Sequence, residues 1–251
     1  MNQTGHPFVE LPSVESTNIH AMEQARARLA LPGTAFFAHE QTRGRGQRGR
    51  QWQSAPGENI AMSLLVAPPG LSPSQTFPLS CATAMGCYDF CKSIAGDETS
   101  IKWPNDLYWR DRKAGGILIE NIIRAGIWEL AVVGIGINVN QTVFDSALPN
   151  PVSLRQITGT SFSPVALAKN LCQALHLRYL QLEAGKWDLM LEEFQSVLYG
   201  KDRRFMFQRG EEIFSGTVKG VTETGELEVY DGRFRHFAFG SIAWLSQQGQ
   251  L

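Results

Sequence analysis

The sequence predicts an α+β fold followed by a small all-β unit. Isoleucine- and valine-rich runs of strand length alternate with longer helical patterns through most of the chain. Near Gly200 the texture changes to short strands broken by turn signals. With 43% hydrophobic and 19% charged residues among 251, the chain can bury a substantial core and has too little charge for wholesale disorder.

The elements follow in order. "FVELPSV" reads as a short strand. The helix "STNIHAMEQARARLA" follows, with Ser16 or Asn18 as its cap and Ile19, Met22 and Leu29 along one stripe. "TAFFAHEQ" is strand-like, and "NIAMSLLVA" is apolar on both faces, as an interior strand must be. "LSPSQTFPLSCATAMGCYDFCKSIAG" supplies an apolar helix with Pro78 near its first turn. "TSIKW", "KAGGILIEN" and "IWELAVVGIGINVN" are further strands. "SPVALAKNLCQALHLRYLQLEAG" is a helix with Leu167, Leu171, Leu175 and Leu182 on its apolar face, and "WDLMLEEFQSVL" is a second. "RRFMFQ", "EIFSGTVKGV", "ELEVYD" and "FRHFAFGSIAWL" then form a small barrel or sandwich. The expected division is 1–199 and 200–251.

Formal net charge is only −1, so the chain as a whole is not built to bind polyanions. The start lacks the basic and apolar regions of a signal peptide, and no apolar run is long enough to span a membrane. Cys81, Cys87 and Cys91 recur inside an apolar helix with Cys172 far away, which suits buried thiols in a reducing cytoplasm better than zinc ligation.

Against that neutral background stands "QTRGRGQRGRQW", residues 41–52. It reads as a disordered nucleic-acid tail, a solvated loop, or a cradle in which glycines let the backbone approach an anion that arginines neutralise. Its position between two strands disfavours the tail. A second constellation, "IKWPNDLYWRDRKAGGILIEN", carries Lys102, Asn105, Asp106 and Lys113. Pro104 and Asn105 make a turn that Asp106 can order through neighbouring backbone amides. Lys113 can place its ammonium at the mouth of a strand where Gly115 and Gly116 leave room for a ligand. Lys102 and Trp103 have a packing role against the barrel as their plainer reading. In "GIGINVN", Asn138 ends a strand where its amide can read a purine edge.

Together these residues resemble the biotin protein ligases. The family's glycine-arginine loop stands here as "GRGQRGRQW" (44–52), its KWPND turn at 102–106, its lysine-glycine strand as "KAGGILIE" (113–120) and its strand end as "GIGIN" (134–138). "ESTN" (15–18) matches an early biotin-contacting segment, and the likeness spans nearly the whole chain. The resemblance implies a mixed-sheet catalytic domain of the biotin/lipoate ligase type with a small C-terminal β-barrel. It implies adenylation of biotin by ATP, with Mg²⁺ accompanying the triphosphate, and transfer of biotin to a lysine of a carboxylase's biotin carrier domain.

Carried over by position, Ser16, Thr17, Asn18, Gln41, Gly44, Arg45, Lys113 and Gly116 would contact biotin. Arg45, Gln47, Arg48, Arg50, Trp52, Lys102, Asn105, Lys113 and Asn138 would contact ATP or the adenylate. Lys113 would bridge carboxylate and phosphate as the electrostatic catalyst, Arg48 would assist it, and Asp106 would orient the incoming amine. No metal ligand is assigned. Loop closure over the ligand follows from the glycines and from the anhydride's need for protection from water.

Two departures stand out. Gln47 occupies a loop position that is commonly arginine, and a neutral amide cannot replace its charge. Arg48 or Arg43 is expected to supply what is missing; otherwise the adenylate is held less tightly and bystander lysines become targets. The "ESTN" match begins at residue 15, so intrinsic DNA binding through a preceding helix-turn-helix is not expected. Homodimer formation through a sheet edge stays open, because the edge strand cannot be read from sequence. Two rivals differ in their observables. A lipoate or octanoate ligase or transferase of the same fold would use the other acid. A single-stranded RNA binder using Arg43 to Arg50 and Trp52 would show steep salt dependence, and would leave Lys113 beside two glycines unexplained.

Overall fold

The computed structural model describes residues 3–245. Seven strands form a mixed sheet: β1 (Phe8–Leu11), β2 (Ala35–Ala38), β3 (Asn59–Val66), β4 (Thr99–Lys102), β5 (Asp106–Trp109), β6 (Arg112–Arg124) and β7 (Ile127–Asn138). They are ordered β1-β2-β3-β7-β6-β5-β4. The β1–β2 pair is parallel and every other neighbouring pair is antiparallel.

The sheet is covered on both faces, which is why β3 is buried at every residue. Leu64 joins the large core under α2 (Thr76–Ala95), α4 (Pro164–Glu183) and α5 (Trp187–Ser196). Its neighbour Leu65 points the other way, into a smaller cluster with Ala21 and Ala25 of α1 (Thr17–Arg26). The predicted leucine face of α4 is buried at all four positions, and all four cysteines are free and buried. Burial pushes the thiols of Cys91 and Cys172 up to about 12.

Three expectations are corrected. α1 ends at Arg26, so Leu29 lies beyond it and is 74% exposed; Thr17, Asn18, Ala21 and Ala25 make the buried face. The small residues let α1 sit close to the sheet, and the larger apolar ones flank the contact. The segment after the KWPND turn, assigned no element from sequence, is strand β5, because its Leu107 and Tyr108 are buried between β4 and β6. A short helix, α3 (Leu154–Thr158), was not foreseen, although Ser153 and Gln156 form a full capping box at its start.

The C-terminal unit is an antiparallel sheet of β8 (Arg204–Arg209), β9 (Glu212–Val221), β10 (Leu227–Tyr230), β11 (Phe234–Phe237) and β12 (Ala243–Leu245), ordered β11-β10-β9-β8-β12. Residues 246–251 of the expected C-terminal domain lie outside the described residues, as do residues 1–2 of the N-terminal one. Phe207, Val218, Val229 and Phe237 belong to the same apolar cluster as the large sheet's helices, so the two sheets share one core. Trp103 sits at that junction, its indole N–H donating to the Gly225 carbonyl at 2.9 Å. The packing role read for Trp103 is thus observed.

Candidate active site

The site is built on the α1 face of the large sheet, around a stripe of glycines. Gly116 of β6 pairs with Gly136 of β7, and Leu118 pairs with Gly134 one step further along. Residues two apart share a face, so Gly116, Gly136 and Gly134 lie on one side with Glu120 and Ser63. Gly134 and Gly136 yield space that a neighbour occupies. A Cβ on Gly134 would stand 2.1 Å from Asn18 Oδ1, and one on Gly136 would stand 2.4 Å from Trp52 Cε2.

At one end of the stripe is a polar network. Gln41 Oε1 accepts from the Thr17 backbone N–H at 2.8 Å and the Thr17 hydroxyl lies at 3.1 Å. The Ser63 hydroxyl donates to Asn18 Oδ1 at 2.6 Å and lies 2.8 Å from Thr17 Oγ1. The Asn18 amide donates to Glu120 Oε2 at 2.9 Å, and Arg45 pairs with Glu120 at 3.2 Å. Ser16 holds the N-cap position of α1 without a side-chain capping bond, and Asn18 does not cap either, because it lies inside the first turn and its Oδ1 accepts from Ser63. Thr17, Asn18, Gln41 and Arg45 are therefore brought together, with Ser16 buried next to them. Gly44 is buried beside them, where a Cβ would meet the Trp52 carbonyl oxygen at 2.3 Å.

Ser63 and Glu120 carry this network and were assigned no role from sequence. Their signal was present: the lone hydroxyl of β3 and the lone carboxylate of β6.

At the other end stands the ion pair. Lys113 Nζ lies 2.7 Å from Asp106 Oδ1, and both flank the bare face of Gly116. Asp106 and Gly116 are paired across β5 and β6, so the glycine leaves the space above itself open. The expectation that Asp106 orders its own turn through backbone amides is replaced by this pairing, since Lys113 is the stronger partner for a carboxylate.

The turn is fastened by Asn105 instead. Its amide donates to the Ile117 carbonyl at 2.6 Å, and the Ile117 N–H donates to the Asn105 carbonyl at 3.0 Å. The Asn138 amide also bonds backbone, to Val152 O at 3.1 Å and Lys113 O at 3.4 Å. Both amides thus spend donors on holding the walls of the site. Lys102 lies on the hairpin face of Asp106 and is half-buried; desolvation lowers its pKa, Asp106 acts to raise it and Lys113 to lower it.

Residues 44–52 are an ordered turn, with Arg45 bridged to Gln51 and the Gly46 N–H donating to Arg50 O at 2.7 Å. The Trp52 indole lies on Gly136, and its buried Nε1 has no partner among the described residues. Arg50 is exposed. Arg43 pairs with Glu15 at 2.9 Å, and Arg48 hydrogen-bonds the Gly240 carbonyl, with its guanidinium 5.7 Å from the Phe239 ring centre. In this conformation neither arginine is engaged at the glycine stripe: Arg43 is held by Glu15 and Arg48 by the Gly240 carbonyl. Among the described residues the Gln47 side chain reaches only the Ile117 carbonyl, at 3.4 Å.

The sequence profile of the Biotin/lipoate A/B protein ligase family matches residues 10–138, just over half of the chain and all of the glycine stripe. The chain belongs to this family. Among its relatives, the bifunctional ligase/repressor BirA of Bacillus spizizenii is 34% identical over 228 residues, covering 89% of this chain and 69% of that protein. The biotin–[acetyl-CoA-carboxylase] ligase of Paracoccus denitrificans is 32% identical over 226 residues, covering 86% of this chain and 91% of that one. The biotin protein ligase of Aquifex aeolicus, solved with biotin and ATP, is similar in fold with a TM-score of 0.80 at 24% identity, over 94% of this chain and 97% of that one. That of Leishmania major, solved with biotinyl-5-AMP, has a TM-score of 0.60 at 25% identity, over 95% and 98%.

Proposed function

We propose that the protein is a biotin–protein ligase, which adenylates biotin with ATP and transfers it to one lysine of a carboxylase's biotin carrier domain. The observation that carries this reading is the glycine stripe with a hydrogen-bonding network at one end and the Lys113–Asp106 pair at the other. A ureido head group needs paired donors and acceptors, which Thr17, Asn18, Ser63 and Gln41 present. An acid tail running from that network past Trp52 to Gly116 would end at Lys113.

There a biotin carboxylate oxygen attacks the α-phosphorus of ATP and pyrophosphate leaves. Two anions must meet, so the Lys113 ammonium offsets their repulsion and the charge gathering on the phosphoryl oxygens. In the second step the carrier amine attacks the acyl carbon of the mixed anhydride, and AMP leaves. Asp106 would accept a hydrogen bond from that amine and orient its lone pair. Magnesium enters as part of the MgATP substrate, held by phosphate oxygens and water. Among the described residues no group of three or more His, Cys, Asp or Glu side chains could hold a metal. We further propose a division into a catalytic domain, 1–199, and a C-terminal domain, 200–251. A cytoplasmic setting is supported by the four free thiols.

The test is mass spectrometry of a carrier domain incubated with the protein, MgATP and either biotin or lipoate. One biotin mass on one lysine is expected. No addition, or equal addition of lipoate, would overturn the reading.

A further inference from the structure

Lys102 closes β4, and its ammonium sits among three aromatic rings. It lies 4.6 Å from the ring centre of Tyr108, 5.2 Å from that of Trp244 and 5.4 Å from that of Tyr199. Its hydrogen bond is to the Tyr108 hydroxyl, at 3.2 Å. Among the described residues no carboxylate lies within ion-pair distance of this nitrogen. Lys113 differs in that Asp106 is its direct counter-ion.

The rings come from three places: Tyr108 from β5, Tyr199 from the link between α5 and β8, and Trp244 from β12. Trp244 is anchored in the C-terminal sheet by Phe205 and Phe207, each with a ring centre 5.0 Å away. Tyr199 is fixed by its hydroxyl, which donates to Asp111 at 2.7 Å. Among the described residues the buried Trp244 indole N–H has no hydrogen-bond partner, and this side chain presents its ring face to the ammonium. Aromatic faces attract a cation without neutralising it, and three of them restrict where it can go. Lys102 thus keeps an unspent charge on the same hairpin face as Asp106, within electrostatic reach of Lys113.

We propose that Trp244 and Tyr199 are positioning residues for the adenylation step: they hold the unneutralised Lys102 ammonium toward the phosphates of ATP. The C-terminal sheet then contributes to nucleotide use without touching the nucleotide. This inference rests on the ligase reading above.

Steady-state kinetics of the full chain tests it. Trp244→Leu should raise the KM for ATP about tenfold, from the loss of one desolvated cation–π contact, and leave the KM for biotin within about twofold. Trp244→Phe keeps a ring there and should stay within about threefold of the parent for ATP. An unchanged KM for ATP, an equal rise for both substrates, or a Phe variant as impaired as the Leu variant would each overturn the proposal. If Trp244→Leu does not fold, Lys102→Met leaves the rings in place and carries the test. It should show the same ATP-specific rise, and a normal KM for ATP overturns the inference. Failure of the parent protein to form biotinyl-adenylate would refute the ligase reading instead.

Discussion

Lys113 Nζ and Asp106 Oδ1 lie 2.7 Å apart over the bare face of Gly116. The pair is less than a third exposed on either side, so each charge is only partly screened by water. In the proposed reaction two anions would give the ammonium three negative partners and would free the carboxylate for an incoming amine, so that one contact would serve both chemical steps.

Replacing Lys113 by alanine removes the charge proposed to stabilise the first transition state. Formation of biotinyl-adenylate should fall about 100- to 1000-fold, in line with loss of one well-placed donor. The fold should persist, because the side chain is not in the core. Pyrophosphate release and circular dichroism measure the two; near-normal adenylation would contradict the assigned role.

Gln47 donates only a long hydrogen bond, to Ile117 O at 3.4 Å, and Arg43 and Arg48 are held elsewhere. Gln47→Arg should slow release of the adenylate by about tenfold, since charge-assisted bonds are roughly twice as strong as neutral ones. Labelling of bystander lysines should fall with it. A release rate equal to that of the parent would dismiss the idea that this position loosens the product.

Gly136→Ala would drive a Cβ into the Trp52 indole, 2.4 Å from Cε2. The ring must move, and overpacking of this kind costs about 1–3 kcal/mol. The strand is already extended, so the backbone tolerates alanine. Affinity for the adenylate should drop about tenfold or more in calorimetry. Unaltered affinity would show that Trp52 does not wall the nucleotide side.

Arg178 ties three helices together. From α4 it grips Asp89 of α2 through two bonds, at 2.6 and 3.0 Å, and also bonds Glu193 of α5. Its side chain is 12% exposed while both carboxylates are 38% exposed. Arg178→Met should cost about 2 kcal/mol of stability in urea unfolding, less than a fully buried pair because solvent screens the carboxylates. Activity at low temperature should be retained. A loss of activity without a loss of stability would place Arg178 in the chemistry.

The strands and long helices were legible because their apolar periods are strong. The motif residues were legible because several ordered patterns coincide with one family. What was not legible depended on partners distant in sequence. Strand β5 needed β4 and β6 on either side before four residues could be seen as a strand. Ser63 and Glu120 gained meaning only when α1 brought Asn18 between them. The arginines of the loop looked alike in sequence, yet Arg43, Arg45 and Arg48 each have a different partner in space.

The sequence by itself determined the α+β class, the change to an all-β texture near Gly200, and a family whose glycines and lysine belong to adenylate chemistry. Those follow from local pattern and residue type, which survive without coordinates. Only the tertiary structure decided that the glycines share one face, that Asp106 meets Lys113, and that Lys102 is ringed by aromatics from both sheets. Such contacts depend on strand register and on the docking of the C-terminal unit, and both are settled by packing between residues far apart in the chain.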